Sequence, residues 1–452
     1  MVTPTLSKSR FINGSQCHLR LWHDHHASHL AKPPSPTLQT IFKTGHEVGE
    51  LACARHPGGY LIAHDHRHTE EALEETAERI SQDTLPALFE AAFSHQGLFS
   101  RADIIERLPD DGWRLIEVKS TTRNKDVFLL DLAFQLRLMR GAGLDVRDAG
   151  VLTLNRDYIY DGQQLDLDAL FRYHPCFEQA DAMSESVGHQ AEAMHALIAQ
   201  EHPPDIAPGD HCFTPYPCPY HAHCTQGQQD TAQANEKLPA LTPQQHDYVK
   251  RALASVAPPI RHLDFETFAP AIPRFAGTRP YDAIPFLFSV HTERDGADPI
   301  HTDYLHTGDD DPRPHIADHL IEALGSDGSI CTYSGYERRV IKELIAALPD
   351  RADALRTLEA RLFDLYRPIR IGYYHSGFRG SFSLKNMLPL LSPNSGYDDL
   401  AIADGQTAAA RYSLALHTQD QAEQQSIFDD LRAYCERDTL ASITIRQALA
   451  NL

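Results

Sequence analysis

Along residues 98–119 apolar and polar positions alternate, break, and alternate again. Leu98–Leu108 reads as a strand, Pro109-Asp110-Asp111-Gly112 as a turn and Trp113–Lys119 as the returning strand, Asp-Gly being a strong hairpin signal. A period of two sends Leu115, Glu117 and Lys119 to one face of the second strand, with Arg114, Ile116 and Val118 on the other. Asp103, on the first strand, can meet this acid and amine across the hairpin. The period then becomes helical over Val127–Arg140, with Asp126 as N-cap and Gly141 and Gly143 as stop signals. Gly150–Asn155 returns as a strand. Upstream, a helix is expected over Gly45–Ala54, where His46 and Glu50 share a face.

Residues 225–258 are rich in Gln, Ala, Pro and Thr and read as a connector holding one helix, Pro243–Ser255. A strand then enters Leu263-Asp264-Phe265-Glu266-Thr267, whose alternation puts both acids on one face. Strands follow near Ile284–His291, Asp303–His306 and Ser329–Tyr333, the last leading into a helix near Glu337. A long helical run, Gln424–Ala450, places Tyr434 and Asp438 four apart and therefore on one side. The chain, at 452 residues, is too long for one compact core. The pattern predicts an α/β protein with domains over 1–225 and 259–452 and a linker over 226–258.

A net charge of -21 argues against wide, non-specific binding to duplex nucleic acid, which needs a basic face, but leaves room for a narrow channel. One stretch departs from the acidic background. Between Arg361 and Lys385, Arg367, Arg370 and Arg379 interleave with Tyr366, Tyr373, Tyr374, Phe378 and Phe382, and only Asp364 is acidic. Cations for phosphates and aromatic faces for bases make a single-strand track. No apolar run is long enough to cross a bilayer, and Met1–Arg10 lacks a signal-peptide core, so a soluble, cytoplasmic protein without a membrane partner is expected. Of the 27 histidines, five lie irregularly between His18 and His29 and read as solvated surface.

Eight cysteines in so long a chain make no disulfide framework, and Cys53, Cys176, Cys331 and Cys435 are scattered. The other four are patterned: Cys17 near the start, then Cys212, Cys218 and Cys224 as C-x5-C-x5-C. Thiolates from distant segments converge when a metal centre holds them, and four suit zinc or a [4Fe-4S] cluster. They bracket the hairpin, helix and strand described above. That set, with Asp103, Glu117-x-Lys119 and the helical Gln135, resembles the PD-(D/E)XK nuclease core of the RecB family. One early and three late cysteines, with the opening Ser7-Lys8-Ser9-Arg10-Phe11, are similar to the iron-sulfur branch that includes the CRISPR-associated RecB-like exonucleases and the AddB type. The resemblance spans roughly residues 7–225 and favours [4Fe-4S]. It implies that Asp103, Glu117 and the Val118 carbonyl hold Mg2+ or Mn2+, that Lys119 orients water, and that Gln135 steadies the substrate or Lys119. The family often has a metal-binding His where Gly49 stands; His46 and Glu50 are the substitutes nearby.

In the second domain, Asp264-x-Glu266 followed by Tyr434-x3-Asp438 resembles the first and last motifs of DnaQ-like (DEDD) 3'-5' exonucleases, which have an RNase H-like fold. The middle motif departs from that pattern: Tyr333-Ser334-Gly335-Tyr336-Glu337 has Glu where the family has Asp, with Asp364 as the alternative acid. The resemblance implies two metal ions on Asp264, Glu266 and Asp438, with Tyr434 positioning water. Gly380–Lys385, taken with these motifs, resembles an uncharacterised bacterial domain found behind RecB-like nucleases. The expectation is a two-centred nuclease acting on single-stranded DNA or DNA ends. One alternative gives activity to the DnaQ-like head alone, on RNA; another is a degenerate nucleic-acid-binding scaffold for a helicase or defence complex.

Overall fold

In the computed structural model the chain forms two compact units, residues 1–229 and 230–452. The structure describes residues 5–226 except 66 and 83, and residues 242–451 except 295, 373–377, 379–380 and 393–395. Both units are mixed α/β. Among the described residues no helix is long and apolar enough to cross a membrane.

The first unit carries a sheet of β1 (Leu6–Ser7), β2 (Tyr60–Leu61), β3 (Ala87–His95), β4 (Leu98–Arg107), β5 (Trp113–Lys119), β6 (Val146–Leu154) and β7 (Phe171–Pro175). The order runs β2-β3-β4-β5-β6-β7, with β1 added beside β4. The expected hairpin is β4–β5, antiparallel, and its turn closes through Leu108 N–H to Gly112 O at 2.8 Å. Asp111 takes the left-handed φ of 65° that the turn requires and Asp tolerates. Beyond β5 the helix Asp126–Gly141 crosses over, so that β6 joins β5 in parallel, as a strand–helix–strand unit requires. Asp126 is the first helical residue and Lys125 the N-cap; the acid favours the positive helix start without capping it. Leu132, Phe134 and Leu138 bury this helix against the sheet and helix Phe177–Ile198. Phe11, on helix Lys8–Gln16, meets Phe134 with ring centroids 5.0 Å apart and brings the N-terminus to the same core.

The second unit is built on β8 (Arg261–Phe268), β9 (Ile284–Arg294), β10 (Ala297–Leu305), β11 (Ile330–Thr332) and β12 (Leu362–Asp364). The order is β10-β9-β8-β11-β12; β8, β9 and β10 are antiparallel, and β11 and β12 run parallel to β8. Alternation on β8 sorts its side chains. Leu263 and Phe265 pack with helices Pro312–Leu324 and Tyr336–Ala347, while Asp264 points the other way and meets Cys435 of helix Gln421–Ala450.

That long helix docks through a buried polar seam as well as apolar contacts. Thr439 Oγ1 lies 2.7 Å from His291 Nδ1 and 3.0 Å from Ser289 Oγ, and Ser442 Oγ lies 2.8 Å from His262 Nδ1. His262 also meets Glu293, which Arg446 grips through both oxygens at 2.7 and 2.5 Å. A slip of one residue would break every bond, so the seam fixes the register of Asp438 over the sheet. The segment read as a connector also contributes to this unit. Helix Pro243–Leu253, closed by a Thr242–Gln245 capping box, buries Val249 beside Ile369 and Leu449.

Candidate metal sites

In the first unit, Glu117 is 1% exposed and surrounded by donors. Lys8 Nζ reaches its two oxygens at 2.8 and 2.9 Å, Lys119 Nζ lies 2.8 Å away, and Gln135 Nε2 donates at 2.6 Å. Lys119 also pairs with Asp131 at 2.7 Å. Asp103 accepts the Val118 backbone N–H at 2.7 Å across the hairpin. The four residues expected from the sequence are thus brought together. Burial and the Glu117 charge push Asp103 up to about 7. Burial acts on Glu117 in the same sense, but Lys119 and Lys8 outweigh it and hold Glu117 below the usual carboxylate range. Burial would lower Lys119, yet Glu117 and Asp131 hold it above the ordinary lysine range.

Four further residues belong to this neighbourhood. Asp131 lies four before Gln135 on one helix, a spacing that could have exposed it. Lys8 is 109 residues from Glu117, and no local pattern joins them. Glu90 falls at a gap in the β3–β4 pairing between Phe89–Ile104 and Ala91–Ala102, takes a left-handed φ of 54° without shifting the register, and lies within electrostatic reach of Glu117, Lys8 and His46. Cys53, half-buried, is pushed up to about 12 by burial and then by the charges of Asp103 and Glu90. His46 and Glu50 lie exposed on helix Pro36–Cys53.

Cys17, Cys212, Cys218 and Cys224 line one small pocket with Arg20, His23, His211 and Tyr220, and all four are free thiols. The two ends of the unit are also stitched by Gln16 Nε2 to the His211 and Tyr216 carbonyls, both at 2.7 Å, and by Tyr220 Oη to Asp24 at 2.8 Å. Burial raises the Cys218 and Cys224 thiols above their ordinary range. Four of the five early histidines are exposed, but His23 is buried and stacks on Tyr220, centroids 5.0 Å apart, because the late cysteine segment folds over it.

In the second unit, Glu266 from β8, Glu337 from the start of helix Tyr336–Ala347 and Asp438 from the long helix are buried, and Asp264 of β8 lies half-buried in the same region. Burial, then Asp438, raises Asp264 well above the carboxylate range. Glu266 and Glu337 rise likewise by burial and then by the charge of Asp264. Asp438 stands at about 6: burial raises it, while the Tyr397 and Tyr434 hydroxyls and Lys385 restrain the rise. Glu337 is 2% exposed, and its Oε2 has no hydrogen-bond partner among the described residues.

Asp364, the alternative acid, is committed to the turn. It accepts the Ser334 and Tyr366 N–H groups at 2.9 and 2.8 Å and so holds Ser334 at a φ of 83°. That turn aims Glu337 inward. Sequence reasoning missed Cys435, whose Sγ lies 3.3 Å from Asp264, and Tyr397, which donates to Asp438. One ligand atom each of Asp264, Glu266 and Cys435 come within 4.8 Å of one another.

The basic track is only partly assembled. Arg361 spends its guanidinium on the carbonyls of Leu324, Gly325, Asp327 and Gly328, which makes it a loop clamp, and Phe378 is core. Arg367 and Arg370 are exposed. Lys385 Nζ lies 5.1 Å from the Tyr434 ring centroid. Tyr373, Tyr374, Arg379 and Gly380 lie outside the described residues.

A family model described as a domain of unknown function (DUF2779) matches residues 261–383. The match takes in Asp264, Glu266 and Glu337 and stops short of Tyr434 and Asp438. No curated protein and no solved structure matches the chain.

Proposed function

We propose that the chain is a metal-dependent nuclease acting on single strands or ends of DNA, with a DnaQ-like 3'-5' centre at Asp264, Glu266, Glu337 and Asp438 and a RecB-like centre at Asp103, Glu117, Lys119 and Gln135. The observation that carries the reading is the second cluster: four carboxyls from three separated segments, three buried and Asp264 partly so, lie within electrostatic reach, and Lys385 acts as a cation on Asp264, Glu266 and Asp438. Such a set is tolerable when ionised only around cations, and its oxygen donors suit Mg2+ or Mn2+. Bound there, the ions would neutralise the scissile phosphate and acidify water. Asp264, Glu266 and Asp438 would hold them, Tyr434 would orient the attacking water, and the exposed Arg367 and Arg370 would meet the strand. The sheet order and directions support the RNase H-like reading of this unit. The β4–β5 hairpin, crossover helix and parallel β6 support the RecB-like reading of the other.

One observation favours activity in the DnaQ-like head alone. Lys8 already occupies both oxygens of Glu117, so a metal at the first centre must displace an ammonium group. The two readings separate on a 5'-labelled single strand with a free or blocked 3' end in Mn2+. Asp264→Asn should slow shortening of the free 3' end by more than about a hundredfold, as expected on losing one member of a unit that acts together. Lys119→Ala should leave that shortening intact and remove any other cleavage. Parental digestion by the double variant would refute both centres.

The four thiols that line one pocket suit either zinc or a [4Fe-4S] cluster, and the resemblance to the iron-sulfur branch of the RecB-like nucleases favours the cluster. Protein prepared without oxygen should therefore be brown. Alanine at any of the four cysteines should bleach the band, and one equivalent of zinc without iron or sulfide would overturn the assignment.

A further inference from the structure

One group of metal-ligating side chains lies outside the sites above. His306 follows β10, Asp310 lies in the next loop, and His315 is in the first turns of helix Pro312–Leu324. One ligand atom from each comes within 4.8 Å of the other two. Asp310 Oδ1 is 3.2 Å from His306 Nε2, and Oδ2 is 2.9 Å from His315 Nε2. We propose that His306, Asp310 and His315 form a binding site for a divalent transition-metal ion of the zinc type, held by two imidazoles and one carboxylate.

The decisive residue is His306. An imidazole–carboxylate hydrogen bond accounts for the exposed His315 without any ion. His306 is 5% exposed, and its buried Nε2, although 3.2 Å from Asp310 Oδ1, makes no well-directed hydrogen bond among the described residues. A buried ring nitrogen left this way is unfavourable unless something fills the space it points into. The separations suit an ion: ligand atoms on one tetrahedral zinc, bound at about 2.0–2.1 Å, stand about 3.3 Å apart.

The surroundings leave Asp310 to this task. Asp309 faces Arg274 at 3.9 Å, and Asp311 caps the helix at Arg313 N–H and pairs with the Arg313 guanidinium at 2.7 Å. Gly308 supplies the room. A Cβ there would stand 2.4 Å from Asp310 Oδ1 and 3.1 Å from His306 Nε2, so a side chain would push the ligands apart. Nitrogen donors select zinc-like ions over Mg2+, so the site would not compete for the ions of the carboxylate cluster. An ion here would tie β10, at the sheet's edge, to helix Pro312–Leu324.

The test uses full-length protein prepared without oxygen, dialysed against a chelator and then equilibrated with Zn2+. Asp310→Asn and His315→Ala are at exposed positions, so their folding can be checked by circular dichroism against the parent. Each variant should bind one zinc fewer per chain, or bind it at least tenfold more weakly, with unchanged iron content and Mn2+-dependent digestion. Co2+ should give visible bands in the parent that are lost in both variants. Equal zinc stoichiometry and affinity, and equal cobalt spectra, in parent and variants would overturn the proposal.

Discussion

Asp438→Asn and Asp264→Asn are expected to make the metal-free protein more stable at neutral pH while stopping digestion from a 3' end. The cause is the crowding of buried acids in the second unit. A carboxyl whose folded pKa stands above its unfolded value stabilises the fold fully below the unfolded value, and that contribution is lost as pH rises through the folded one. For Asp438 the window runs from roughly pH 4 to about 6; Asp264, Glu266 and Glu337, raised further, extend it upward. A shift of about two units corresponds to roughly 3 kcal/mol. Asparagine keeps the shape and removes the charge. Both tryptophans, Trp22 and Trp113, lie in the first unit, so the second must be followed by the part of the far-ultraviolet signal that tryptophan fluorescence does not track. In chelator, the variants should match the parent near pH 4 and exceed it at pH 8, Asp438→Asn by about 2–3 kcal/mol. Mn2+ should close the gap by stabilising the parent. Variants weaker than the parent at pH 8 would mean that these acids are held by hydrogen bonds and do not repel.

Glu117→Ala should act in the opposite direction and lower the stability of the first unit by about 3–5 kcal/mol, as breaking a buried ion pair does. Glu117 is the shared partner of two ammonium groups. Lys119 keeps Asp131 when it is removed, but Lys8 loses the only carboxylate it touches at hydrogen-bond distance among the described residues. Adding Lys8→Met should recover part of the loss, because it removes the stranded charge and leaves an apolar stem. Tryptophan fluorescence against denaturant measures both. A Glu117→Ala midpoint equal to the parent's would show that Lys8 reaches solvent freely, against the geometry seen here.

The parts of this molecule that were legible in the sequence are those governed by local periodicity. Alternation over Leu263–Thr267 put Asp264 and Glu266 on one face, and the β8 packing has that form because each strand residue must choose between two helical layers. The hairpin at Asp111-Gly112 followed from one turn requirement. Lys8 and Tyr397 were not legible as site residues, and Lys385 was legible as a cation of the track but not as a neighbour of the acids, because the partners of all three are far along the chain and only tertiary packing joins them. His23 misled for a related reason: its irregular spacing resembles surface, but a segment some two hundred residues later covers it. Arg361 misled because composition cannot distinguish a guanidinium facing solvent from one spent on four carbonyls.

The pocket lined by Cys17, Cys212, Cys218 and Cys224 also sets a schedule for biosynthesis. Cys224 leaves the ribosome 207 residues after Cys17. At about 5–20 residues per second the first thiol waits roughly 10–40 s for its last companion. Helix Lys8–Gln16, which carries Lys8 to Glu117 and Phe11 to Phe134, is tied to the late cysteine segment only after that wait. The N-terminal unit therefore completes its core from its two ends last, and any cofactor loading must follow synthesis of the unit rather than accompany it.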